Sequence, residues 1–135
     1  MSNIETVKAI YEAFGRGDIP FILDQLADDV EWESWADNSA QKAGVPWIQA
    51  RHGREGAAEF FKIVATMEIN RFDVLSILEG ENQIAAEVVI GSKYFLDEEM
   101  HLWNFNDEGK VIRLRHYADT AKHMAGAEKY QTAAA

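Results

Sequence analysis

The chain has no cysteine, which excludes disulfides, thiolate metal centres and a cysteine nucleophile. Basic residues are outnumbered: 13 Lys and Arg against 23 Asp and Glu leave a formal charge of −10. Nucleic acid and anionic membranes both call for a basic face, so neither is an expected partner. No apolar run is long enough to span a bilayer. The first ten residues, MSNIETVKAI, have no basic region before an apolar stretch, so no signal peptide is expected and a cytoplasmic location is. There is no glycine-rich phosphate loop, nucleophile elbow or dinucleotide fingerprint, and no cofactor is expected. What remains is a globular composition, 47% hydrophobic and 11% aromatic, in a length that suits one domain over 1–135.

The last third carries the strongest pattern. From His101 to Asp119 the chain alternates on both sides of Glu108-Gly109, as two strands joined by a tight turn do. A two-residue loop pairs Asp107 with Lys110 and sets His101 opposite His116. One face then holds His101, Trp103, Phe105, Ile112, Leu114, His116 and Ala118. The other holds Met100, Leu102, Val111, Tyr117 and both Arg113 and Arg115. A three-residue loop with Gly109 as a bulge shifts the register by one and mixes arginine with tryptophan. Segregation of charge favours the first register.

Upstream, Ser2-x-x-Glu5 is a capping box for a helix with Ile4, Val7, Tyr11 and Phe14 on one side. Asp18 caps a second helix containing Pro20. A strand is expected from about Val30 to Trp35, with Trp32 and Ser34 on one face and Glu31 and Glu33 on the other. An irregular loop over 36–52 precedes a helix from Gly53 to Met67. Two further strands follow, at Ile69–Glu79 and Gln83–Phe95. The tail from Thr120 is expected to form a short helix at most, with 131–135 frayed. Three helices followed by a meander predict an α+β fold, a curved antiparallel sheet with helices on one face, forming a cone around an apolar pocket.

The segments IYEAFGRGDIP at 10–20, LADDVEWES at 26–34, HGREGAAEFF at 52–61 and FNDEGKVIRLR at 105–115 together resemble the NTF2-like (cystatin-like) superfamily, in its SnoaL-like and ketosteroid-isomerase-like branch. Ketosteroid isomerase uses a strand-end carboxylate, a first-helix tyrosine and a protonated aspartic acid; these positions fall on Ser34, Ile10 and His101. Limonene epoxide hydrolase has an arginine and an aspartate where Val88 and Ile90 stand. Its water-activating aspartate falls on His116, and its tyrosine and asparagine fall on Trp32 and Ser34. Neither set is complete, so the resemblance implies the fold and a pocket without either activity.

The chemistry expected of that pocket rests on His116 as base, His101 as acid or oxyanion donor, and Ser34 as a carbonyl-orienting group. Trp32, Trp103, Phe14, Phe60, Val88, Ile90 and Leu114 are expected to line it. The expected function is cofactor-free isomerisation, cyclisation or dehydration of a hydrophobic carbonyl compound. The alternative is a non-catalytic module that binds a small hydrophobic ligand. No metal site is expected, because Glu33 alternates away from the histidines. His52 and His123 are expected at the surface. The outer sheet face, with Met100, Leu102, Val111 and Tyr117, is expected to pair with a second copy as a homodimer.

Overall fold

The computed structural model describes residues 1–33 and 37–134. The order is α1 (Asn3–Gly15), α2 (Ile19–Asp24), β1 (Leu26–Trp32), α3 (Ser39–Lys42), a short 3₁₀ turn at Pro46–Ile48, and β2 (Arg51–His52). Then come α4 (Gly53–Val64), β3 (Ile69–Gly80), β4 (Gln83–Ser92), β5 (Leu96–Phe105), β6 (Val111–Tyr117) and α5 (Thr120–Ala134). The strands form one sheet in the order β2-β1-β6-β5-β4-β3. The α+β expectation holds, with two differences. The sheet is mixed, because β1 runs parallel to β6. The described residues contain five α-helices where three were expected.

Local chemistry explains the helix starts. The Glu5 amide donates to Ser2 Oγ at 3.2 Å, and the Ser2 hydroxyl donates back to Glu5 Oε1 at 3.1 Å. The first bond is the capping half of the expected box and satisfies a donor that the first helical turn leaves open, while Glu5 meets the Ser2 hydroxyl in place of its amide. Asp18 accepts from the Phe21 amide in the same way. The larger departure is α5, expected as a short helix at most. Asp119 Oδ1 accepts from the amides of Ala121 and Lys122, so it caps α5. His123, Ala127 and Tyr130 then recur at helical spacing, with His123 and Ala127 buried and Tyr130 packed against the core. Gly126 allows the helix to approach β5's entry: a Cβ there would lie 3.2 Å from both the Phe95 ring and the Tyr94 carbonyl.

The β5–β6 hairpin confirms the expected register through an unexpected turn. His101 does face His116, Trp103 faces Leu114 and Leu102 faces Arg115. The loop, however, is the three-residue kind. The Asn106 amide donates to the Lys110 carbonyl, Asn106 Oδ1 accepts from the amides of Glu108 and Lys110, and Gly109 has φ +79°. At the loop Phe105 pairs with Val111; one step on, Asn104 pairs with Arg113. Ile112 is the extra residue between them, a bulge that returns the strands to the register of the histidines. Val111 is therefore fully buried and Ile112 exposed, the reverse of their expected faces. Val111 also cannot belong to an outer-face patch.

Helices α1, α2 and α4 cover one face of the sheet, and the aromatic core lies between. No helix among the described residues is long and apolar enough to cross a membrane. Gly109 occupies the left-handed region with nothing within 4 Å of where a Cβ would sit, so Gly109→Ala meets backbone strain alone. Its expected cost is ~1 kcal/mol by urea denaturation, with the cross-strand NOEs between His101 and His116 retained.

Candidate active site

β1 ends with a reversal that alternation does not anticipate. Trp32 is buried, and Glu33, which should point the other way, is buried as well. Its backbone has φ +57°, a left-handed conformation that a glutamate adopts at some cost. The Glu33 amide still donates to the Leu114 carbonyl at 2.8 Å, so pairing with β6 continues while the side chain turns inward. Its Oε1 accepts from the His116 amide at 2.9 Å and pairs with His116 Nδ1. The expectation that Glu33 lies on the wrong face is thereby corrected. Ser34, the expected orienting group, lies outside the described residues.

A second chain of polar groups crosses the same interior. The Trp103 indole N–H donates to the Tyr11 hydroxyl oxygen at 3.1 Å. Tyr11 lies 2.8 Å from His101 Nδ1, and His101 Nε2 lies 3.0 Å from Glu99 Oε1. Glu99 Oε2 is 2.9 Å from His123 Nε2, which is also 2.8 Å from Asp97 Oδ2. The Trp47 indole N–H ends the chain by donating to His123 Nδ1 at 2.8 Å. His123, expected at the surface, is buried; His52 is exposed as expected and bonds Glu31 at 2.8 Å. The resemblance set the family's first-helix tyrosine on Ile10, but the polar group reaching inward is its neighbour Tyr11.

His101 and His116 therefore meet in a way the facing register alone does not reveal. Their rings are perpendicular with centroids 4.3 Å apart, and each bonds its own carboxylate instead of the other ring. His101 uses both nitrogens. His116 uses Nδ1 only; its Nε2 has no hydrogen-bond partner among the described residues. Phe60 stacks on His116 at 5.6 Å and Trp32 meets it edge-on at 6.4 Å.

These rings border a cavity of about 80 Å³. Of the expected lining, Phe14, Trp32, Phe60, Ile90, Trp103 and Leu114 are present. Val88 is not: it is fully buried on the cavity-side face of β4, opposite Glu99, and is plain core. Tyr11, Glu99 and His123 line the cavity in addition. An engineered hole that holds benzene measures about 150 Å³, so any carbonyl compound larger than a few heavy atoms has to displace aromatic side chains here.

Burial sets the charge states. It raises the Tyr11 phenol well above its ordinary value, with Glu99 adding to the effect against the Trp103 bond, so Tyr11 keeps its proton. Burial opposes ionisation of Glu99 too, but its bonds to His101 and His123 outweigh that and hold it down at about 2. Asp97 is raised, chiefly by burial. His116 is lowered to about 3 by burial, helped by His123, so its ring is neutral at physiological pH. Burial lowers His123 as well, yet Glu99 and Asp97 prevail and raise it.

Asp97, Glu99 and His123 offer atoms within 4.8 Å of one another that could in principle hold a cation. A cation would need the His123 Nε2 lone pair. The Trp47 donor at Nδ1 puts the neutral ring's proton on Nε2 instead, which makes this a hydrogen-bonded cluster.

The arrangement defines a class: a helix-backed α+β domain with an aromatic chamber and three carboxylate-supported histidines around it. The chain belongs to the family of SnoaL-like domains, whose model matches residues 7–119. It is similar in structure to an NTF2-like protein of unknown function from Burkholderia pseudomallei, at 25% identity and a TM-score of 0.72 over 90% of this chain and 95% of that one. TerC co-crystallised with polyporic acid is 22% identical, with a TM-score of 0.71 over 93% of this chain and 98% of that one. A steroid delta-isomerase from Pseudomonas aeruginosa is 11% identical, with a TM-score of 0.72 over 97% and 92%. The last two likenesses are likenesses of fold. No curated protein matches the chain.

Acid stability follows from these charge states. His116 falls from 6.5 unfolded to about 3 folded, so the unfolded chain binds the extra proton below 6.5. Its contribution is present above 6.5 and is lost as pH falls, on the order of 4 kcal/mol by pH 3. Glu99, lowered from 4.5 to about 2, adds a second loss within that lower window. Melting temperature is expected to start falling near pH 6.5, and His116→Gln should flatten the fall between 6.5 and 4.5.

Proposed function

We propose that this chain is a cofactor-free acid–base catalyst that isomerises, cyclises or dehydrates a small hydrophobic carbonyl compound. The observation that carries the reading is the Glu33–His116 pair beside the cavity. With Nδ1–H donated to a buried carboxylate, neutral His116 keeps a lone pair on Nε2, the form a general base needs. Glu33 then stabilises the imidazolium formed when a substrate C–H gives up its proton, as the carboxylate of a carboxylate–histidine pair does. Tyr11, backed by His101 and Glu99, supplies the hydroxyl nearest to an oxygen that gains charge. His101 acts through Tyr11, because both its nitrogens are already bonded.

The narrow cavity favours a compact or flat substrate that slips between rings which shift to admit it. The rival reading, a ligand-binding module without turnover, is supported by the same aromatic walls, but it gives no reason to bury Glu33 behind His116. For assembly, the outer sheet face exposes Leu78 at 61% and Tyr117 at 39%, near Met100 and Leu102, and supports a homodimer through that face.

The test is proton exchange at the α-carbon of a panel of small cyclic ketones in deuterated water, followed by NMR. His116→Ala and Glu33→Gln should each lower exchange by roughly 10²–10⁴-fold with the fold intact by circular dichroism. A ligand that binds and returns without deuterium decides for the binding module.

A further inference from the structure

The polar chain from Trp47 to Tyr11 has an indole N–H at each end, and an indole can only donate. Together with the Glu99 carboxylate between the two histidines, the two indoles set the direction of the protons along it. Trp47 donates to His123 Nδ1, so a neutral His123 carries its hydrogen on Nε2 and directs it at Glu99 and Asp97. At the other end the Glu99 carboxylate, an acceptor, faces His101 Nε2, so a neutral His101 carries its hydrogen there. Its Nδ1 then accepts the Tyr11 hydrogen, while Trp103 donates to the Tyr11 oxygen. Glu99 joins the two halves, with His101 on one oxygen and His123 on the other, and Asp97 shares the His123 hydrogen.

We propose that Trp47 and His123 are positioning residues for the acid side of the site: the Trp47 indole locks His123 as the Nε2–H tautomer, and His123 and His101 together hold Glu99 as the acceptor that orients His101 toward Tyr11. The chain joins four separate parts of the fold, namely the 3₁₀ turn at Pro46–Ile48, α5, β5 and α1. In its neutral form the Tyr11 hydrogen points at His101. A bound oxygen therefore competes with His101 Nδ1 for the Tyr11 hydrogen. Significance for turnover rests on the acid–base reading above; the tautomers do not.

Every charged or titratable group facing His123 bears on the test. From β5 these are Asp97 and Glu99, with His101 behind Glu99. From β6 His116 acts across the cavity, and Asp119 contributes its backbone N–H to Asp97. Trp47 and Phe95 complete the shell without charge; Phe95 lies 4.4 Å from the His123 ring.

The experiment uses full-length protein labelled with ¹⁵N-histidine, with long-range ¹⁵N–¹H correlation across pH and assignment by His123→Gln and His101→Gln. Unaltered protein should show His101 and His123 each with Nε2 protonated and Nδ1 unprotonated. Trp47→Phe keeps a ring but removes the donor that opposes an imidazolium, so the His123 midpoint should rise by about one unit, a tenfold change for one hydrogen bond. A packing role alone would leave that midpoint where it is. Nδ1–H on neutral His123, or an unmoved midpoint in a folded Trp47→Phe protein, overturns the proposal. If Trp47→Phe fails to fold, the tautomers of the unaltered protein still decide it. No substrate is needed, so this result and the ketone-exchange result fail independently.

Discussion

A carboxyl group taken out of water is tolerated only where hydrogen-bond partners meet it. Glu33, Asp97 and Glu99 all lie inside, in a chamber otherwise lined with aromatic rings. The donors they receive come from His116, His101 and His123 and from the amides of His116 and Asp119. That need for donors accounts for two features that look unrelated. It explains why a glutamate accepts a left-handed backbone at the end of β1, beside the His116 amide and ring, and why α5 folds back to set His123 against β5. Losing one donor would leave a buried polar group without its partner, which is costlier than the bond itself.

The sequence made part of this legible. Charge segregation in the last two strands identified the facing histidines, since a one-residue slip moves every side chain to the other face. Other parts were hidden for physical reasons. Alternation assumes extended backbone, and a single positive φ at Glu33 breaks it without any glycine to give warning. The buried stripe of α5 is built from histidine and alanine, so it carries little hydrophobic signal, although Asp119 sat in the capping position. Val88 has the parity of a cavity residue but too little reach to arrive there. Its β-branched side chain is covered by neighbours, while the next position of that parity, Ile90, does border the space.

The fold and the chamber separate what is shared from what is particular. The fold is common to the structures this chain resembles, including a protein with very little identity to it. Within that frame the Glu33–His116 and Glu99–His101 pairs give the interior a polarity of its own. One pair leaves an imidazole nitrogen beside the cavity, and the other is buried behind a phenol. Asymmetry of this kind is what separates an acid from a base when both draw on the same residue type.

The bulge at Ile112 has a mechanical meaning. It takes up the residue that the three-residue tip adds, so the distance from tip to chamber is set by the strand and not by the loop. The tip is accordingly insulated from the interior. A fluorophore or peptide tag grafted between Asp107 and Gly109 would ride on the outside of the molecule, and the histidines would hold their alignment beneath it.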